Sequence, residues 1–242
     1  MDTDTELVVV TGSAPIASHV RDALPEGATV IAVDGGLDHA LAAGLEPEVL
    51  VGDLDSVSAD GLRWAESNAS VERHPTDKDR TDTELALAHA VDRRPSRLVV
   101  VGGGDRLDHS LAAIGALTAR SMTSVPVLEA WWDGHHLDVV HGPGRRRLRL
   151  VPGSTISLLV LGRPCEDVTI DGVRWPLHDH HLEPVVGHGV SNEVAADDGL
   201  VTVSVSSGVL VVFDEPAPPA EAAPTARRPR TARARRSTRR TP

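Results

Sequence analysis

Four apolar runs dominate the first half of the chain. They are "ELVVV" (6–10), "ATVIAV" (28–33), "EVLV" (48–51) and "RLVVV" (97–101), and none alternates with polar residues. Continuous Val, Ile and Leu of this kind suit strands buried on both faces. Helices are predicted between them: from about Pro15 to Leu24, over 37–45 with Gly44 as a stop, over 82–91, and over 107–120. Alternating strands and helices predict a parallel sheet covered on both sides. In such a sheet ligands bind beyond the C-terminal ends of the strands.

After about Val125 the pattern changes. "RRRLRLV", "STISLLVL", "EDVTIDGVRW", "LVTVSVSS" and "GVLVVF" are short β-type runs separated by Pro and Gly, with no helical period. They predict a small antiparallel domain, a β-sandwich. From Glu215 onward Pro, Ala and Arg take over, a composition that cannot bury a core. The expected organisation is an α/β parallel-sheet domain over 1–125, an all-β sandwich domain over 126–214, and a disordered basic tail over 215–242.

Charge sharpens this division. The 242 residues carry a net charge of −11, but residues 225–242 hold eight Arg and no acid, leaving 16 basic against 35 acidic residues before them. An acidic body does not attract nucleic acid, so any such contact is expected to be weak and confined to the tail. If the body handles phosphates, a metal ion is the expected intermediary. A single cysteine, Cys165, excludes an internal disulfide framework and a Cys-based zinc site, and it has no catalytic setting. No apolar run is long enough to span a bilayer, and the acidic start does not read as a signal peptide, so no membrane association and a cytoplasmic location are expected. With no Tyr and one Phe, the core must be aliphatic; Trp131 and Trp132 are expected to pack between domains.

Three of the predicted strands end in Gly/Asp loops, Asp34–Gly36, Gly52–Ser56 and Gly102–Asp105, and three stretches carry candidate chemistry. Asp53 and Asp55 flank Leu54 after the third strand, a spacing that lets both reach one hard cation; equally, Asp55 or Ser56 could cap the next helix. The second loop is "HPTDKDRTDTE" (74–84). Thr81 and Glu84 fit a capping box, and Asp82 suits a first helical turn. Capping leaves Asp77, Lys78 and Asp79 unexplained. Lys78 is the only lysine in the chain, set among carboxylates that repel one another unless a cation joins them. A helix N-terminus beside them could help to hold a phosphate. The third loop runs from Gly102 to His109, where glycines permit close backbone approach and Arg106 offers a fork for phosphate oxygens. Asp108 could cap the next helix or bind metal or substrate. "HDHH" (178–181) with His188 invites a metal reading, but the chain holds twelve His, several in expected loops, so no metal site is expected there.

Taken in order, Asp34-Gly35-Gly36, Gly52-Asp-Leu-Asp-Ser56, Asp77-Lys-Asp-Arg-Thr-Asp-Thr-Glu84 and Arg106-Leu-Asp-His109 resemble the thiamine pyrophosphokinase family. The resemblance continues through "DGVRWPL" (171–177), "GHGVSNE" (187–193) and "GVLVVF" (208–213), covering roughly residues 7–213. It implies a nucleotide-binding α/β domain followed by a β-sandwich, assembled as a homodimer with thiamine between parts of both subunits. It implies Mg²⁺-dependent transfer of a pyrophosphoryl group from ATP to the thiamine hydroxyl. Carried over by position, Asp53, Asp55, Asp77 and Asp79 would hold metal. Lys78, Asp82, Arg106 and Asp108 would join Asp53, Asp55 and Asp79 in catalysis. Asp34, Gly35, Gly36, Ser56, Lys78, Thr81, Arg106 and His109 would contact ATP. Trp175, Ser191 and Asn192 would meet thiamine. Three alternatives remain: a related pyrophosphokinase with a pterin-type alcohol as acceptor, a phosphatase using Asp53 as nucleophile, and a nucleotide- or thiamine-binding regulator without turnover.

Overall fold

The computed structural model of the chain describes residues 5–12, 14–104 and 106–217. The first half is strand and helix in alternation: β1 (Glu6–Val10), α1 (Ser18–Ala23), β2 (Thr29–Val33), α2 (Gly36–Ala42), β3 (Val49–Gly52), α3 (Ala59–Asn68), β4 (Ser70–Arg73), α4 (Asp82–Asp92), β5 (Arg97–Gly102) and α5 (Leu107–Leu117). The second half is β6 (Val127–Trp132), β7 (His135–His141), β8 (Gly144–Arg149), β9 (Thr155–Val160), β10 (Cys165–Asp171), β11 (Leu177–Leu182), β12 (Asn192–Glu193), β13 (Leu200–Val205) and β14 (Val209–Asp214).

The four apolar runs become β1, β2, β3 and β5, and their pairing is parallel. Val8, Val10, Val30 and Val99 face α1 and α2, while Leu7, Val9, Ile31, Val33 and Val100 face α4 and α5. Helices therefore cover both faces, and each fully buried Val or Leu contributes about 1.5–3 kcal/mol of burial free energy. α3 and β4, which the sequence reading passed over, form the far edge. β4 is short and solvent-facing, with Ser70, Glu72 and Arg73 among its four residues. A short, polar strand suits an edge.

The strands run β12-β9-β14-β7-β6-β5-β1-β2-β3-β4 in a single ten-stranded sheet. The ladder crosses from the first half to the second without a break. β5 pairs with β6 in parallel from Arg97↔Val127 to Gly102↔Trp132, and β6 pairs with β7 antiparallel. A second sheet, β11-β10-β13-β8, lies across the far end. Val140, Ile156, Leu158, Val160, Leu210 and Val212 of the long sheet pack with Leu148, Val168, Ile170, Val201, Val203 and Val205 of the short one. This is the two-sheet packing that the second-half pattern predicts, with one layer shared with the α/β sheet. β6 and β7 escaped the sequence reading because their positions include Glu129, His136 and Asp138, polar residues that the fold buries or half-buries.

Pairing continues past Asp214. Val151 N–H donates to the Glu215 carbonyl and Ala217 N–H donates to the Arg149 carbonyl. The remainder of the predicted tail, from Pro218, lies outside the described residues.

Candidate active site

Strand order decides where a site can form. β5 and β2 lie on opposite sides of β1, so the chain reverses direction across the sheet there. Loops leaving neighbouring strands at such a point diverge and open a crevice at the C-terminal ends. The crevice is present. A cavity of about 530 Å³ is lined by Thr11 and Gly12 after β1, Asp34 and Gly35 after β2, Asp53, Asp55 and Ser56 after β3, and the segment around α4.

The β2 and β3 loops interlock through Asp34. Its carboxylate accepts the N–H of Leu54 at 3.0 Å, which holds Leu54 in a left-handed turn at φ 67° and sets Asp53 and Asp55 on either side. Gly52 has φ 146°, and a Cβ there would overlap the Asp34 carboxylate. Gly36 begins α2 directly against the Val10 carbonyl, with no room for a side chain. Ser56 Oγ accepts the Gly35 N–H at 3.0 Å. The next helix, α3, is capped by Ser58, whose Oγ accepts the Gly61 N–H. Neither Asp55 nor Ser56 caps it, so that alternative reading of the motif falls away. Asp55 stays exposed on the cavity wall.

The lysine loop closes the opposite wall. Thr81 caps α4, with its Oγ1 accepting the Glu84 N–H at 3.2 Å, and Glu84 Oε2 accepts the Thr81 N–H at 2.8 Å. Both halves of the predicted capping box are formed. Thr83 Oγ1 lies 2.8 Å from Thr11 Oγ1 and ties α4 to the end of β1. Lys78 Nζ sits 3.0 Å from Asp82 Oδ2 and 3.8 Å from Asp53 Oδ2, and it donates to the Pro75 carbonyl at 2.9 Å. Desolvation alone would lower its pKa. The hydrogen bond to Asp82 and the charges of Asp82, Asp53 and Asp34 outweigh that and hold the pKa above the ordinary lysine value. Asp34 moves the other way for an acid. Burial, opposed by the Leu54 N–H and reinforced by Asp82, Asp53 and Asp55, raises its pKa to about 6. Asp82 Oδ1 is buried and without a hydrogen-bond partner.

Asp34, Gly35, Asp53, Asp55, Ser56, Lys78, Asp79, Thr81, Asp82 and His109 therefore come together around one cavity. Gly36 lies behind it as a spacer. Asp77 is exposed and outside the lining. Arg106 and Asp108 are exposed at the start of α5 and pair with each other at 2.5 Å, also outside the lining. Trp175, Ser191 and Asn192 form a separate group in the β half. Asn192 accepts the Trp175 N–H at 3.1 Å and returns a bond to the Trp175 carbonyl at 2.6 Å, while the Ser191 N–H donates to Ser157. Sequence reasoning missed Thr11, Gly12, Thr76, Arg80 and Thr83 in the lining. Thr11 and Gly12 could have been found from their place directly after β1. Arg80 had no signal beyond its neighbour Lys78.

An acid-rich crevice with an ammonium and a helix N-terminus, at the ends of parallel strands, defines an enzyme of the nucleotide-using phosphotransferase class. Residues 20–128 match the thiamin pyrophosphokinase catalytic domain, and residues 135–210 match the thiamin pyrophosphokinase vitamin B1 binding domain. The chain belongs to the thiamin pyrophosphokinase family. It is 27% identical over 193 residues to a thiamine pyrophosphokinase of Bacillus subtilis, a stretch covering 76% of this chain and 85% of that one. The crystal structure of the B. subtilis enzyme superposes with a TM-score of 0.72 at 23% identity, covering 88% of this chain and 99% of the other. The Geobacillus thermodenitrificans thiamin pyrophosphokinase gives 0.71 at 25% identity, covering 88% and 98%. The yeast enzyme shares the fold at 14% identity, with a TM-score of 0.64 and coverage of 90% and 87%.

Proposed function

We propose that this protein transfers the pyrophosphoryl group of ATP to the hydroxyl of thiamine, giving thiamine diphosphate and AMP, with Mg²⁺ as the metal. The observation that carries the reading is the setting of Lys78. Its ammonium is held by Asp82 and Asp53 on the wall of a cavity that also gathers Asp34, Asp55 and Asp79. Family membership supplies the acceptor and the leaving group.

The donor set fits the metal. Asp53, Asp55 and Asp79 offer carboxylate oxygens, the ligand type Mg²⁺ takes together with substrate phosphates. Bound there, the ion would neutralise triphosphate charge and polarise the phosphorus under attack. The protein's own part is placement and charge. Lys78 brings a compact positive charge to the phosphate oxygens, and Arg80 adds a planar fork on the same wall. The N-terminus of α4 presents its first N–H groups and the positive end of its dipole. Attack of a hydroxyl on a phosphorus atom asks mainly for this positioning and neutralisation.

We further propose a homodimer. Trp175, Val185, Val186 and Val190 are exposed apolar side chains close in sequence to Ser191 and Asn192, a surface that a second copy could cover while bringing its own cavity to thiamine. No helix among the described residues is long and apolar enough to cross a membrane. The proposal includes a cytoplasmic location, where ATP is available as a substrate. The direct test is incubation with ATP, Mg²⁺ and thiamine, following AMP and thiamine diphosphate. AMP that needs thiamine is expected; AMP no higher than in a thiamine-free control overturns the proposal.

A further inference from the structure

The polar residues of β6, β7 and β14 form a second cluster that the proposed reaction does not use. The sheet register builds it. His136 lies directly opposite Asp214 in the β7–β14 pair, and Asp138 lies two residues along β7 on the same face. Their side chains are almost closed to solvent: 8% exposed for His136, 3% for Asp138 and 0% for Asp214. His136 Nδ1 lies 2.8 Å from Asp214 Oδ1 and 4.0 Å from Asp138 Oδ2. One ligand atom from each of the three falls within 4.8 Å of the others.

We propose that His136, Asp138 and Asp214 form a metal site for a divalent transition ion of the zinc type, separate from the acidic cavity. Three observations carry it. The first is an orphan: Asp214 Oδ2 is buried and has no hydrogen-bond partner. A buried carboxylate oxygen left unpaired costs free energy that a bound cation would recover. The second is charge. Glu129, Asp138 and Asp214 face two guanidiniums, with Arg146 bound to Asp138 and Glu129, and Arg97 bound to Glu129. A net negative charge remains while His136 is neutral. The third is access. His136 and Asp214 line a cavity of about 960 Å³ beside Trp131 and Phe213, which supplies an entry path and room for a water ligand.

The donor set selects the ion. One imidazole nitrogen with two carboxylates suits zinc, cobalt or manganese better than magnesium, which prefers oxygen alone. Zinc held at about 2.0–2.2 Å places its ligand atoms roughly 3.4 Å apart. His136 Nδ1 and Asp214 Oδ1, now 2.8 Å apart, would open slightly, and the wider separations, all within 4.8 Å, would close. Asp138 can take part through Oδ2 while Oδ1 keeps its bond to Arg146. Zinc would replace the proton that His136 otherwise shares with Asp214.

Cobalt(II) is the probe, added to chelator-stripped full-length protein in excess Mg²⁺ to keep the acidic cavity occupied. One cobalt per chain, with the visible ligand-field bands of a low-coordinate site, is expected. His136→Gln and Asp214→Asn should each weaken cobalt binding about 100-fold or more, while Asp53→Asn should leave it unchanged. Trp131 packs its ring 4.7 Å from that of His136, so cobalt should quench tryptophan fluorescence in the wild type and lose most of that effect in Trp131→Phe. This readout does not depend on the ligand variants folding. Unchanged cobalt affinity in folded His136→Gln and Asp214→Asn would overturn the proposal, as would quenching that Trp131→Phe leaves intact. Neither readout involves turnover, so the outcome is independent of the thiamine reaction.

Discussion

Lys78 and Asp82 meet at 3.0 Å across the start of α4, the lysine just before the helix and the aspartate as its first residue. The pair joins a helix start, which folding requires, to a cluster of like charges, which folding alone would avoid. It also fixes where a positive charge is presented to the cavity.

Replacing Lys78 therefore separates charge from shape. Lys78→Ala should lower kcat by about 100-fold or more, because a charge aimed at the transition state is lost. Lys78→Arg keeps the charge but spreads it over a wider planar head in place of a compact ammonium between Asp53 and Asp82. It is expected to recover little of the rate. Full activity in Lys78→Arg would show that any cation suffices there.

Asp53 and Asp55 should behave as a pair. Asp53→Asn or Asp55→Asn is expected to reduce AMP formation by about 100-fold or more. The Asp55 change should leave the melting temperature nearly unaltered, since Asp55 is exposed. Raising the Mg²⁺ concentration should restore part of the lost rate in either variant. A rate insensitive to both substitutions would remove these residues from the metal site.

Arg80, rather than Arg106, is the guanidinium that lines the cavity. Arg80→Gln is expected to raise the KM for ATP about tenfold, the effect of losing one charge-assisted contact. Arg106→Gln, at an exposed position paired with Asp108, should change it far less. Steady-state kinetics on the two variants decides between them.

Asp34 gives a pH signature. Its folded pKa, about 6, is above the unfolded value of 3.8, so the folded protein binds the extra proton between these values. Its contribution to stability is thus fully present below about pH 4 and is lost as pH rises through 6. Asp34→Asn keeps an acceptor for the Leu54 N–H and removes the charge. In the absence of metal it should raise the melting temperature at pH 7–8 and change it little near pH 4. Identical melting curves at pH 8 would contradict this.

Gly52→Ala tests the strand-end geometry. The position combines φ 146° with the Asp34 carboxylate where a Cβ would lie. A loss of about 1–3 kcal/mol in urea unfolding is expected, together with impaired catalysis from a displaced Asp34. A fully stable, active variant would show that the loop can rearrange without cost.

The strands that carry the cavity were legible because parallel strands buried on both faces read as unbroken apolar runs. The α4 start was equally legible, since Thr81 and Glu84 satisfy each other locally. What escaped depended on partners distant in sequence. α3 is capped by Ser58, itself held by Asp38 from the first turn of α2, so the local signal at Asp55 and Ser56 pointed two or three residues too early. β6 and β7 were hidden because Glu129 and Asp138 are compensated by Arg97 and Arg146, which only the folded sheet brings near. Nothing in the spacing of Arg80 and Arg106 could tell which would face the cavity.

The uninterrupted ladder from β4 to β12 has a mechanical consequence. A hinge between the two halves would have to tear the β5–β6 and β6–β7 pairings, so the subunit should move as one stiff body and melt in one step. Any closure that brings the Trp175–Asn192 group to a loaded cavity must then come from the loops beyond the strand ends or, in the proposed homodimer, from one copy sliding on the other. Regulation of the rate would accordingly act on those loops or on the proposed interface rather than on a hinge within the sheet.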